Sequence, residues 1–151
     1  MFEDFGAATE WEVLDGSFAV VEDGCPDGTG STCLEIRRGE RRSRIARQFD
    51  PPIDVSGLRV TAAIRSAESA YPRVQLLDED GDQIRFRAPV RGGLATQRFN
   101  FGVEAVEGDP DLTRIETVRF MQSQSRWMWL DHVGFHGTLP GTVAITFDDG
   151  E

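Results

Sequence analysis

Lysine is absent from this chain. All 16 basic residues are arginine, where a protein of this length ordinarily holds about nine lysines. Long apolar runs are absent too. None approaches the ~18 residues of a membrane-spanning helix, so no membrane span is expected. The start has no basic residue and no apolar stretch, because Met1 leads into Phe2-Glu-Asp-Phe5; no signal peptide is expected. Positive charge is in short supply: 26 acidic residues give a net charge of −10. Nucleic acid is a poor partner for such a surface, since phosphate binding needs a basic patch. Polar aromatics are scarce, with one Tyr and three Trp against ten Phe, so most rings are expected in the core. Only two cysteines occur, Cys25 and Cys33, in GCPDGTGSTC. Two thiolates do not fill a four-coordinate zinc site. That Pro- and Gly-rich segment is a loop able to close on itself. A disulfide fits an oxidising compartment, and two free thiols fit the missing signal peptide equally well.

The lysine-free acidity has two sources to weigh. A GC-rich genome favours Arg codons over Lys codons. Salt is the second: an acidic surface without lysine resembles proteins of halophilic archaea, in which ions screen the self-repulsion of excess charge. At 151 residues, with 39 % hydrophobic and 28 % charged, the chain is large enough for a real core without metal or disulfide help.

Apolar residues recur every second position, the pattern of half-buried antiparallel strands. Leu58, Val60, Ala62 and Ile64 share one face. Ile84 and Phe86 point in, with Arg85 and Arg87 out. Phe99 and Phe101 repeat the alternation. Further strands are expected at Trp11–Leu14, Phe18–Glu22, Cys33–Arg37, Ile45–Phe49, Val74–Leu77, Glu116–Met121 and Trp127–Phe135. Breaks fall at the Pro-rich link Asp50–Gly57, the hairpin turn Asp78–Asp82, Arg91–Gly93 and Glu107–Pro110, with a short helical turn expected over Asp109–Arg114. Many short strands with frequent turns give an all-β, antiparallel β-sandwich.

Three stretches resemble a known architecture. The Phe2-Glu-Asp-Phe5 opening, the Gly30-Ser-Thr-Cys-Leu34 segment and the late Met128-Trp-Leu-Asp-His-Val133 strand resemble the galactose-binding-like jelly rolls found among carbohydrate-binding modules, over roughly Phe2 to Phe135. The resemblance implies a glycan or polysaccharide as partner, held by exposed aromatic rings and polar side chains. Candidates are Trp11, Tyr71, Trp127 and Trp129, with Arg85 and Arg87 on an outward face. It also implies one structural calcium between the first and last strands, with Glu3 and Asp131 at the matching positions; calcium takes six to eight oxygens, so acids must converge from distant segments. Asp131 shares period-two parity with Trp129 and Val133, which turns it inward. His132 and His136 have the H-x-x-x-H spacing of zinc enzymes, but on a strand they stand ~13 Å apart and cannot share an ion.

The tail carries the most specific motif. After an apolar Val143–Ile145 run comes Thr146-Phe-Asp-Asp-Gly150, which resembles the first motif of polysaccharide deacetylases, metal-dependent hydrolases that remove N-acetyl groups from glycans. The resemblance implies Asp148 as general base and Asp149 as ligand of zinc or a related divalent ion. The family's later histidines have no counterpart here. The expectation is therefore a jelly-roll accessory module (1–137), a linker (138–142) and the first strand of a catalytic barrel (143–151), inactive by itself, with the deacetylase domain as its partner in cis. The runner-up is a structural jelly roll that packs on the catalytic domain without binding sugar. An extracellular or cell-surface location follows from the deacetylase resemblance, against the missing signal peptide.

Overall fold

The computed structural model describes residues 2–3, 11–22, 25–26 and 33–136. Eleven strands follow in order: β1 (Phe2–Glu3), β2 (Trp11–Asp15), β3 (Ser17–Val21), β4 (Cys33–Arg37), β5 (Ser43–Ile53), β6 (Arg59–Ser66), β7 (Arg73–Asp78), β8 (Gln83–Arg87), β9 (Gln97–Glu107), β10 (Ile115–Gln122) and β11 (Trp127–His136). All pairs are antiparallel. One sheet runs β2-β5-β10-β7-β8-β9, the other β9-β6-β11-β4-β3, with β1 beside β11. The chain is the antiparallel all-β jelly roll that the alternation and the resemblance imply.

The two sheets are joined at both margins. Strand β9 pairs with β6 through Gln97–Phe101 and with β8 through Gly102–Glu107, so it passes from one sheet into the other. At the opposite margin β2 and β3 are separated only by Gly16 (φ +83°). A Cβ there would collide with the Arg37 carbonyl, and only glycine takes this backbone without strain. Phe86, Leu76, Ile45 and Ile115 from one sheet meet Ile64, Leu34, Met128 and Phe135 from the other, all fully buried. Each such side chain contributes about 1.5–3 kcal/mol by leaving water.

Four local expectations change. The prolines of Asp50–Gly57 do not end the strand, because β5 continues to Ile53. Past Arg47, β5 has no β2 partner, and the β10 ladder jumps from Gln48 to Ile53. Pro51 and Pro52 thus fall where no amide is demanded of them. Leu58 lies outside β6, at φ +55° and exposed. Residues 109–114 form an Asp-anchored turn and no helix: the Thr113 N–H donates to the Asp111 carboxylate at 3.1 Å, and the Arg114 N–H donates to the Asp111 carbonyl at 3.0 Å.

The fourth concerns Asp131. Strand β11 bulges between Asp131 and Gly134, with His132 at φ +49°. The extra residue shifts the parity. Met128 and Leu130 point into the core before it, Val133 and Phe135 after it. Asp131 therefore stays on the side of Trp129, opposite Ala63, and does not share Val133's face.

Candidate functional site

The outward side of the β5-β10-β7-β8-β9 sheet is mostly polar, with Met121 and Leu77 as its large apolar side chains on the central strands. Registers align its side chains in cross-strand rows. One row is Ala46, Arg119, Gln75, Arg85 and Ala105; the next is Arg44, Met121, Arg73, Arg87 and Gly102; a third is Gln48, Thr117, Leu77, Gln83 and Glu107. The inward alternates, such as Val118, Phe120, Val74, Leu76, Ile84 and Phe86, are core residues, so packing fixes which side each polar residue faces.

These polar groups are tied to one another. The Gln75 side-chain amide donates to the Gln83 carbonyl oxygen, Arg119 Nη1 to Gln75 Oε1 at 3.4 Å, and the Thr117 hydroxyl to Gln48 Oε1 at 3.0 Å. Gln75 and Thr117 are only 8 % and 9 % exposed although they point away from the core, so neighbouring side chains cover them. Glu104 sits at a bulge between β8 and β9 and gathers three guanidinium groups. Arg73 Nε lies 2.8 Å and Arg85 Nε 2.7 Å from its Oε1, and Arg87 Nη1 3.3 Å from Oε2. Hydrogen bonds, from Arg73 first and then Arg85, hold the Glu104 carboxyl below the usual carboxylate range, against desolvation that pushes it up. Arg87 also carries its guanidinium 5.2 Å from the Tyr71 ring, and Tyr71, just before β7, is 48 % exposed. An exposed ring beside a polar floor is suited to stacking on a sugar face while guanidinium and amide groups bond its hydroxyls.

Tyr71, Arg85 and Arg87 thus stand together, on one face. Trp11 does not: it packs in the core at 5 % exposure. Trp127 and Trp129 lie on the outward side of the other sheet and stack on each other (5.5 Å between centroids, 15° between planes). Arg37 covers Trp127 at 4.4 Å and Arg65 covers Trp129 at 5.1 Å, so these rings are already engaged. Trp129 also packs on Cys25 and Cys33, which are joined by a disulfide across a Cα–Cα distance of 5.6 Å. Gln75, Gln83, Thr117, Arg119 and Glu104 were not singled out by sequence reasoning. Only strand pairing brings them to one face.

The Asp131 carboxylate is 1 % exposed. Its Oδ1 accepts from the His132 N–H at 2.8 Å, and the His132 ring lies 3.5 Å from Oδ2. Strand β1 pairs Glu3 with Val133, two residues away along the chain. A buried carboxylate beside the first strand fits one calcium ligand. Among the described residues no three His, Cys, Asp or Glu converge. The Glu3 and His136 side chains, the 138–142 linker and the Thr146–Gly150 motif with Asp148 and Asp149 lie outside the described residues. No described helix is long and apolar enough to cross a membrane.

No protein-family model matches the chain, and no curated protein matches its sequence. Solved structures do match. An exo-β-agarase superposes with a TM-score of 0.71 at 12 % identity, over 93 % of this chain and 25 % of its own. The chain therefore spans about a quarter of that enzyme's length. A family 11 carbohydrate-binding module from Clostridium thermocellum, in complex with a β-1,3-1,4-mixed-linked tetrasaccharide, matches with a TM-score of 0.60 at 15 % identity, over 92 % of this chain and 95 % of its own. TmCBM61, in complex with β-1,4-galactotriose, gives 0.54 at 12 % identity, over 88 % and 91 %. At these identities the likeness is one of fold: the architecture of this chain is that of carbohydrate-binding jelly rolls.

Proposed function

We propose that this chain binds a polysaccharide across the outward face of the β5-β10-β7-β8-β9 sheet, as the accessory module of a polysaccharide deacetylase. One observation carries the binding reading: an exposed Tyr71 stands at the end of a floor of inter-bonded Arg, Gln, Thr and Glu side chains. The fold likeness to modules solved with oligosaccharides supports it. The deacetylase assignment rests on the Thr146-Phe-Asp-Asp-Gly150 motif, in which Asp148 would be the base and Asp149 the ligand of a divalent ion.

Four polymers test both parts together: chitohexaose and hyaluronan, which carry N-acetyl groups, and mixed-linkage β-glucan and polygalacturonate, which do not. Calorimetric titration is expected to detect at least one of them. Tyr71→Ala is expected to weaken that binding by roughly ten- to a hundredfold, the worth of ~1.5–3 kcal/mol of lost ring contact. Trp127→Ala, on the other sheet, is expected to leave it unchanged. A preference for the N-acetylated pair supports a deacetylase partner, and a preference for the other pair counts against it. Trp127 is 38 % exposed, which favours the second reading, a jelly roll that only packs on a catalytic domain. Binding of no polymer would leave that reading standing.

A structural calcium at Asp131 belongs to the same proposal. Chelation with EDTA is expected to lower the melting temperature by several degrees, and re-addition of calcium to restore it. Melting curves that superimpose with and without chelator would remove calcium from this site.

A further inference from the structure

The centre of the candidate face has the wrong sign for this protein. The chain as a whole carries −10. Yet Arg119 on β10, Arg73 on β7, and Arg85 and Arg87 on β8 occupy two neighbouring rows, and among the described residues the one carboxylate bonded to any of them is Glu104. Four guanidinium groups and one carboxylate leave three positive charges. The acids of the same face stand at its rim: Glu12 on edge strand β2, Glu116 at the bulge opening β10, and Glu107 at the end of β9. Arg44 is already paired with Asp15 at 3.2 Å.

Arg119 is the clearest case. Among the described residues its Nη1 reaches only the neutral Gln75 amide, at 3.4 Å. Its Nε is buried and has no hydrogen-bond partner among the described residues. A half-buried guanidinium without an anion is costly, because burial removes water that nothing replaces. Arginine is also the side chain whose planar fork matches a carboxylate or sulfate with two parallel hydrogen bonds. Adjacent strands lie ~4.8 Å apart, so Arg119 and Arg85, two strands apart, stand about 10 Å from each other. That spacing lets one polymer meet both.

We propose that the polysaccharide this face accepts is acidic, bearing carboxylate or sulfate groups that dock on Arg119 and on the free faces of the Arg73–Arg85–Arg87 cluster. This rests on the binding reading above and names its substrate class. The anion supplies the partner that Arg119 lacks and offsets the mutual repulsion of the four cations. Glu104 then has a second use, since it holds three guanidinium groups at fixed orientation before the polymer arrives.

The test sets acidic against neutral polymers: polygalacturonate and dextran sulfate against mixed-linkage β-glucan and chitohexaose, at low and at high salt. The acidic polymers are expected to bind more tightly, with an affinity that falls as salt rises. Tighter binding of polygalacturonate identifies carboxylate as the anion, and of dextran sulfate, sulfate. Arg119→Gln is expected to weaken acidic binding roughly ten- to a hundredfold without lowering the melting temperature, and Arg119→Lys to recover only part of the loss. Should Arg119→Gln fold poorly, Arg85→Gln reads the same loss from β8. Neutral polymers bound as tightly as acidic ones, with Tyr71→Ala still abolishing binding, would overturn the acidic preference and leave glycan binding intact. An oligothymidylate bound as tightly as the acidic polymers would overturn it as well, by making the face a generic polyanion site. Binding of no polymer would remove both proposals.

Discussion

Replacing Asp78 by alanine is expected to lower the melting temperature by roughly 5–15 °C, the equivalent of ~2–4 kcal/mol in a domain of this size. The carboxylate ends β7 nearly buried, and it accepts from three backbone N–H groups. Asp111 donates at 2.8 Å, Asp80 at 2.9 Å and Asp82 at 3.0 Å. The first comes from the turn between β9 and β10, the others from the β7–β8 hairpin, so one side chain holds two turns together. Alanine removes the acceptor of all three donors and unties the two turns. The N–H of Asp111 first, then those of Asp80, Asp82 and Gly81, hold the Asp78 carboxyl below its ordinary value, and burial opposes them. A carboxyl whose folded pKa is depressed stabilises the fold above its unfolded pKa, ~3.9, and that contribution disappears as pH falls through the lower folded value. Asp78→Asn should therefore flatten the loss of stability below about pH 4, leaving the parts due to Glu104, Glu68 and Asp54. Melting followed by circular dichroism across that range checks it; an acid limb identical to that of the original protein would refute the assignment.

The second large effect is expected at Gln122, at the other end of the sandwich. Its buried amide donates to the Ser125 carbonyl at 2.6 Å and to the Ser43 hydroxyl at 3.2 Å, and accepts from the Ser125 N–H at 2.8 Å. The Ser125 hydroxyl continues the chain of bonds to the Trp127 carbonyl at 2.7 Å and lies 2.9 Å from the Ser66 hydroxyl. Polar groups from β5 and β10 are thus linked to β6 and β11 inside a water-excluded corner. Gln122→Leu keeps the volume and deletes the partners, leaving the Ser125 N–H and carbonyl unsatisfied. The expected cost is about 2–4 kcal/mol, read as a lower urea midpoint at unchanged m-value. Ser43→Ala, which removes one neutral bond, should cost only about 1 kcal/mol. Equal losses from the two variants would mean that the corner is hydrated and the network is not what holds it.

The strands were legible because a sheet with one buried face imposes period two. Arg85 and Arg87 could be placed outward from Ile84 and Phe86 alone. What escaped the sequence depends on partners far along the chain. Strand β9 runs on from Phe101 to Glu107 while its alternation fades, because it changes sheets midway and its inward side changes with it. Strand β5 continues through Pro51 and Pro52 because its neighbour skips them. The Asp131 bulge breaks a parity that looks unbroken in Trp129, Asp131 and Val133. The candidate face was half visible for the same reason. Tyr71, Arg85 and Arg87 announce themselves, but Arg119 and Glu104 join them only through pairings of 34 and 19 positions' separation from Arg85, one set by register and the other by an ion pair.

The seams at β9 and Gly16 bear on how this protein can be observed. Two sheets stitched at both margins have no route to separate melting, so they unfold as one cooperative unit. A polymer docked on one face then stabilises the opposite one to the same extent. Trp127 and Trp129 lie on that opposite face, away from the proposed polymer. Their fluorescence on heating reports occupancy of a surface they never touch, and the signal carries no quenching from the bound sugar itself.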